Sequence, residues 1–248
     1  MASDVELRKV YIRHRENYPE TEMMAQALVG FTTLGIEVAP FYWVDDLLRL
    51  EDLGPEVGIV GYLGDVHAGL LKLGRPIPDP DDYPSPLQPF LGRRVWRGTL
   101  SDVRASIDPI FVKPLEHKAF TGFCWGGQAD AASRRRIVTH DDDTPVWLSE
   151  PVEMVAEYRC MVLYRQIIGC RLYKGDWSKA PNRETVEAAV AAMGKKAPKA
   201  YLLDFAVLAD GRTVLVEFNH AFSFGHYGLP PVSYARMLSA RWYELAKP

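Results

Sequence analysis

The stretch Tyr201-Leu202-Leu203-Asp204-Phe205-Ala206-Val207-Leu208, then Ala209-Asp210-Gly211-Arg212, then Val214-Leu215-Val216-Glu217-Phe218-Asn219, decides the fold. Two apolar runs flank a polar Asp-Gly turn, which is the pattern of a β-hairpin. Side chains alternate across a strand, so Glu217 and Asn219 share one face while Val216 and Phe218 point into the core. The turn brings Asp204 back beside that pair. An Asp, a Glu and an Asn on one surface offer oxygen ligands to a hard cation, and Mg²⁺ is held in this way together with substrate phosphates. The same residues also fit an ordinary hairpin with its polar groups in solvent, so the choice between the two depends on the rest of the chain.

Immediately upstream, Tyr158 to Tyr164 and Ile167 to Tyr173 form a second predicted hairpin carrying Glu157, Arg159 and Arg171. A three-residue turn at Tyr164 to Gln166 sets Arg159 opposite Arg171 on the face of Glu157, whereas a two-residue turn puts the arginines on opposite faces. Two adjacent guanidinia repel unless an anion lies between them, and their forks suit phosphate or carboxylate. The alternative is that both snorkel or pair with Glu157 and Asp176. Farther back, Lys113 sits in the apolar run Ile110-Phe111-Val112-Lys113-Pro114, where a buried ammonium requires an anion and an edge-strand lysine reaches water. Lys118-Ala119-Phe120-Thr121-Gly122-Phe123-Cys124-Trp125-Gly126-Gly127 follows. It reads either as a glycine loop whose N–H groups approach phosphate or as a hairpin turn. Beyond Asn219, the mixed aromatic and polar segment His220 to Gly228 is placed to line an acceptor pocket, with His220 and His226 as candidate bases or surface groups.

The remaining elements fall into two regions. Thr21 to Leu34 has helical periodicity, Gly35 to Phe41 is a strand, Val44 to Leu53 a helix, Val57 to Gly61 a strand, and Asp65 caps a further helix. This alternation predicts a small α/β lobe over residues 1–92 with a largely parallel sheet. Six prolines between residues 74 and 92 predict an irregular linker or surface loop. From residue 93 to 248 the strands are antiparallel in character: Arg94 to Gly98, Pro109 to Pro114, Val146 to Leu148 and the two hairpins. Helices are predicted at Pro181 to Gly194 and Tyr234 to Leu245.

At 248 residues the chain has material for one large or two small domains, and its 48% hydrophobic and 25% charged residues are those of a soluble globular protein. A formal charge of -3 gives no footprint for nucleic acid or an anionic membrane, and Arg134-Arg135-Arg136 is answered locally by Asp141-Asp142-Asp143. Cys124, Cys160 and Cys170 match no metal spacing and cannot all pair. They are expected to be reduced thiols of a cytoplasmic protein, although Cys160 and Cys170 can be neighbours across a hairpin. Met1 to Glu6 does not read as a basic-then-apolar leader, and no membrane-spanning segment or internal repeat is expected from the remaining residues.

Taken in order, Phe111-Val112-Lys113-Pro114, the Phe120-Thr121-Gly122 loop, Ser149-Glu150-Pro151-Val152, Glu157-Tyr158-Arg159, Arg171-Leu172-Tyr173, Asp204 and Glu217-Phe218-Asn219 resemble the ATP-grasp superfamily. They are most similar to its clade named for two arginines and one lysine. The likeness runs from about Arg94 to Leu229, and residues 1–75 resemble the α/β lobe that often precedes such a body.

The resemblance implies an α+β nucleotide-binding body and an ADP-forming ligase that uses ATP and Mg²⁺ to join a carboxylate to an amine of a small-molecule or peptide substrate through an acyl phosphate. Phosphoryl transfer to a hydroxyl, or nucleotide binding without turnover, are the other activities such a body would support. By the same resemblance Lys113 contacts the phosphates under the Gly122 loop, and Glu150, Pro151 and Val152 form the adenine hinge. Glu157 takes the ribose, Asp204, Glu217 and Asn219 hold the metal, and Arg159 and Arg171 steady the phosphoryl group or substrate carboxylate. The second arginine could be Arg165, but Tyr173 follows Arg171 at the matching place. One departure stands out: many members carry a second lysine on the strand before the hinge, and Val146-Trp147-Leu148 has none. Lys118 or an arginine would have to supply that charge.

Overall fold

The strand–helix alternation of residues 9–72 yields a parallel arrangement, because each helix carries the chain back to the end of the sheet where the preceding strand began. The computed structural model describes residues 6–116, 119–126 and 131–248; Lys118, Gly127 and the side chains of Arg134 and Arg136 lie outside what is described. The chain opens with β1 (Lys9–Arg15), β2 (Tyr18–Pro19), α1 (Glu22–Thr33), β3 (Glu37–Phe41), α2 (Val44–Arg49), β4 (Val57–Val60) and α3 (Leu63–Lys72). The central strand β1 runs parallel to β3 on one side and β4 on the other, and β2 folds back on its end. The sequence did not announce β1, because Lys9, Arg13, His14 and Arg15 dilute its apolar centre of Val10, Tyr11 and Ile12. Thr21 caps α1 by accepting from the Met24 N–H at 3.3 Å. Asp65 was expected to start α3 and instead lies in its first turn, where one carboxylate oxygen accepts from the Tyr62 N–H at 2.8 Å.

The proline-rich segment departs from expectation. Ser85–Phe90 is a 3₁₀ helix, in which Pro86 occupies an early position that lacks an intrahelical N–H partner in any case. Residues 74–80 are irregular and mostly exposed, as expected, but the later part is anchored to the body. Asp82, Tyr83 and Leu87 are buried, and the Asp82 carbonyl accepts from the Phe218 N–H at 2.8 Å.

The body follows as β5 (Val95–Thr99), α4 (Leu100–Ala105), β6 (Ile110–Pro114), β7 (Phe123–Trp125), α5 (Ala131–Val138) and β8 (Pro145–Ser149), whose strands form an antiparallel sheet in the order β5-β8-β6-β7. Then come β9 (Met154–Leu163), β10 (Gln166–Gly175), α6 (Arg183–Met193), β11 (Ala200–Leu208) and β12 (Thr213–His220), with strand order β10-β9-β11-β12, again antiparallel. One face of this second sheet packs Leu203, Phe205, Leu215 and Phe218 against α6 and the 3₁₀ helix. The other face sends Met161 and Leu202 into the core of the N-terminal lobe. The last helix, α7 (Pro231–Ala246), returns to that lobe and packs on α1, where Gly30 approaches Pro231 so closely that a Cβ would have no room. Among the described residues no helix is long and apolar enough to cross a membrane.

The cysteine expectation needs correction. Cys160 and Cys170 are directly opposite on β9 and β10 and form a disulfide, leaving Cys124 free and exposed.

Candidate functional site

The β9–β10 turn has two residues, Tyr164 and Arg165, both with positive φ as a type I′ hairpin demands. That length alone would put Arg159 and Arg171 on opposite faces. A bulge at Ile168 adds one residue to β10, and beyond it Arg171 stands opposite Arg159. Arg159 in turn faces Asp204 on β11, and Asp204 faces Glu217 on β12. Arg171, Arg159, Asp204 and Glu217 therefore form one row across all four strands, on one face. A second bulge, at Val216, ends regular pairing next to Glu217. As a result Val216 leaves the core position predicted for it and lines a cavity, while Phe218 is buried as expected.

Charges in the row are tightly matched. Arg159 grips Asp204 with two parallel bonds, Nε to Oδ1 at 2.8 Å and Nη2 to Oδ2 at 2.6 Å. The guanidinium also lies 5.2 Å from the ring of Tyr227 and 5.9 Å from that of Tyr173. Asn219 Nδ2 donates to Glu217 Oε1 at 2.7 Å and lies 3.5 Å from Asp204 Oδ2. Lys113, from β6 of the other sheet, forms ion pairs with Glu217 and, at 3.0 Å, with Asp82. The ammonium therefore has its anions, and the edge-strand alternative does not apply. Arg171, at the outer end of the row, is exposed and has no side-chain partner among the described residues.

Burial pushes the Asp204 carboxyl up to about 6 against the pull of Arg159, with the neighbouring charge of Glu217 adding to the rise. Burial acts on Glu217 in the same sense, but Lys113, Asn219 and Arg159 together hold it below the ordinary carboxylate value. Lys113 is raised despite its burial because Glu217 and Asp82 flank it.

A cavity of about 420 Å³ is lined by residues of both sheets, among them Glu150, Pro151 and Val152, Lys113 and Glu217, and Glu157 and Arg93. A second, of about 550 Å³, shares Lys113 and Glu217 and adds Gly122 and Asn219. Most of the predicted residues are thus gathered on two adjoining spaces, with Asp204 and Arg159 in the row beside them. Glu157 accepts from Tyr173 Oη at 3.0 Å and from Lys174 Nζ at 2.6 Å. Glu150 accepts the Arg94 N–H at 2.9 Å, tying the segment after β8 to the start of β5. Gly122 is required by packing, since a Cβ there would meet the Phe111 ring at 2.7 Å. Neither histidine candidate is directed into the row. His220 Nδ1 meets Arg241 at 2.8 Å and its Nε2 faces the Asp79 carbonyl at 3.2 Å, while His226 accepts from the Gly228 N–H and faces Glu22.

Sequence reasoning missed Asp82, Tyr83 and Arg93, which lie in or next to the segment assigned to a linker. An acid, an aromatic and a cation interrupting a proline-rich run were the signal for them. Asp204, Glu217 and Asn219 fit a hard divalent cation: two carboxylates and an amide within hydrogen-bond reach of one another, beside a cavity that carries a lysine. Among the described residues no group of three or more His, Cys, Asp or Glu is placed to hold a metal ion.

Residues 90–237, more than half of the chain, match an ATP-grasp domain family, the second family of the clade named for two arginines and one lysine. Among solved structures, the chain is similar to D-cycloserine synthetase DcsG, with a TM-score of 0.61 at 16% identity, covering 96% of this chain and 99% of that one. It is similar also to D-alanine–D-alanine ligase from Bacillus anthracis in complex with ATP, with a TM-score of 0.59 at 14% identity over 96% of both chains. The macrocyclase MdnC bound with the precursor peptide MdnA from Microcystis aeruginosa MRC matches with a TM-score of 0.57 at 12% identity, covering 93% of this chain and 99% of that one. At such identities the likeness is one of fold. No curated protein matches the sequence significantly.

Proposed function

The chain belongs to the ATP-grasp domain family of the two-arginine, one-lysine clade, and from that premise we propose that it is an ADP-forming ligase joining a carboxylate to an amine. The observation that carries this reading is the row Arg171, Arg159, Asp204 and Glu217, whose last member pairs with Lys113 on the lining of one cavity. ATP and a carboxylate are both anions, so cations must screen them before a carboxylate oxygen can reach the γ-phosphorus. Lys113 and Arg159 lie where the phosphates would run, and Arg171, with no acid of its own, would take the substrate carboxylate or the transferred group. Glu150 to Val152 would receive the adenine and Glu157 the ribose hydroxyls. Asp204, Glu217 and Asn219 would hold Mg²⁺, which supplies charge neutralisation along the phosphates when bound.

The carboxylate oxygen bonds to the γ-phosphorus as the bond to ADP breaks, giving an acyl phosphate. The amine nitrogen then bonds to its carbonyl carbon, phosphate leaves, and the nitrogen gives up a proton. An acyl phosphate left wet would hydrolyse, so the loop around Gly122 and the Tyr227 segment would serve to exclude water. A protein structure of this fold bound with a precursor peptide makes peptides, alongside amino acids, the substrates to try first. The test is to incubate purified protein with ATP, Mg²⁺ and pooled amino acids or peptides. ADP and free phosphate formed only when both a carboxylate and an amine are present support ligation. A phosphorylated product would assign a kinase instead, and no turnover with tight ATP binding would assign a binding module.

A further inference from the structure

Arg93 is a partly buried cation that forms no ion pair among the described residues, although the charge of Glu217 acts on it from beyond contact. Its Nη1 donates to the carbonyls of Leu91 at 3.0 Å and Leu215 at 2.8 Å, and its Nη2 donates to that of Val216 at 3.2 Å. Its remaining side-chain partner is the neutral phenol of Tyr83. Lys113 meets Asp82 and Glu217, and Arg159 meets Asp204, whereas Arg93 makes no salt bridge among the described residues. Carbonyl dipoles alone are poor compensation for a desolvated charge, so such a group is costly to keep unless an anion joins it.

The position of Arg93 says which anion. It lines the same cavity as Lys113, Glu217 and the Glu150 to Val152 segment, and two of its carbonyl partners belong to the residues preceding Glu217. Charge counting points the same way. The acids around Lys113 and Arg159 outnumber those two cations, since Asp82, Glu217 and Asp204 face them. A polyanion entering there needs a further positive charge. The strand β8, whose Ser149 lines the cavity, carries no lysine or arginine, and its Trp147 has Tyr83 edge-on at 4.9 Å and Arg97 over its ring at 4.8 Å.

We propose that Arg93 binds the phosphate chain of the nucleotide, supplying the cation that β8 lacks, while its hold on the Leu215 and Val216 carbonyls fixes the bulge that presents Glu217 to the cavity. This rests on the nucleotide-binding part of the ligase reading. It assigns a ligand to a residue just before β5, separate from Lys113 and the arginine pair.

The experiment compares wild type, Arg93→Gln and Arg93→Lys in calorimetric titrations with ATP, ADP and adenosine, all with Mg²⁺. Glutamine keeps a donor for the carbonyls and removes the charge; lysine keeps the charge. For Arg93→Gln the expected result is a loss of about tenfold or more in ATP and ADP affinity, as for one charge-assisted contact, with adenosine affinity unchanged. Arg93→Lys is expected to recover most of the ATP affinity and the salt dependence of wild type. Unchanged ATP affinity in Arg93→Gln would overturn the proposal, and so would an equal loss for ATP and adenosine, which marks a purely structural role. Wild-type protein that binds no ATP would overturn the nucleotide reading itself, a result visible before any variant is compared.

Discussion

Asp204 and Glu217 face each other across β11 and β12, and the amide of Asn219 lies between their carboxylates, 2.7 Å from Glu217 Oε1 and 3.5 Å from Asp204 Oδ2. Two acids so close, and shielded from water, cannot share one environment. Glu217 has the ammonium of Lys113 and stays ionised, whereas Asp204, nearly inaccessible to solvent, has its carboxyl raised to about 6.

Metal affinity should therefore depend on pH. A cation bound by Asp204 competes with the proton that this group holds below about 6. Mg²⁺ affinity should be flat above neutrality and fall by about tenfold per pH unit below 6, the slope for one competing proton. The sign for folding is the reverse: the folded-state value is raised above the unfolded one, so the contribution of Asp204 to stability is present at low pH and lost as pH rises through about 6. Mg²⁺ titrations at pH 5 and 7.5 check the first statement, and equal affinities would refute it.

Glu217→Gln should abolish turnover and leave the protein folded. The amide keeps an oxygen and the volume of the side chain but removes the charge that pairs with Lys113 and that a bound metal would require. Stability should drop by about 1–3 kcal/mol, because Lys113 retains Asp82 while losing one of its two anions. Rate measurements with thermal unfolding of the same variant decide this, and full activity would remove Glu217 from the metal site.

Arg171→Ala should behave in the opposite way. The side chain is exposed and has no partner among the described residues, so unfolding should shift by less than about 0.5 kcal/mol. Activity should fall by about a hundredfold or more if the guanidinium steadies a carboxylate or phosphoryl group. Calorimetric unfolding and steady-state rates on one preparation make the comparison, and wild-type kcat/KM would exclude Arg171 from the chemistry.

Deleting Ile168 tests the row itself. Without the bulged residue, the two-residue turn gives an uninterrupted register in which Arg171 no longer opposes Arg159 and Cys170 no longer opposes Cys160. Activity should be lost, and titratable thiols should rise from Cys124 alone to all three cysteines. A disulfide retained in the deletion variant would show that the strand re-forms its bulge elsewhere.

Much of the site was legible in the sequence because it depends on local rules. Alternation puts Glu217 and Asn219 on one face, an Asp-Gly turn returns Asp204 to them, and Lys113 in an apolar strand must either meet an anion or reach water, a choice that Asp82 and Glu217 decide. What local rules do not contain is register. The turn at Tyr164-Arg165 is two residues long, the length that should separate Arg159 from Arg171, and only the bulge at Ile168 brings them together. A bulge follows from how β9 and β10 pack across the whole sheet, and no spacing in the sequence encodes it. The same holds for Val216, displaced from the core by the bulge beside Glu217, and for the disulfide that register makes possible.

By itself the sequence determined which residues are available for chemistry: oxygen-bearing side chains on a hairpin, cations upstream, and apolar strands to hold them. Tertiary structure alone decided how those charges are matched. Asp82, Tyr83 and Arg93 sit in or beside a proline-rich stretch that local reading assigns to a surface linker, yet Phe218 hydrogen-bonds it to the edge of β12 and buries it against Lys113 and Glu217. The physical reason is that strand periodicity is a property of neighbouring residues, whereas a counter-ion is chosen by whatever the fold brings within about 4 Å of a charge, however distant in the chain.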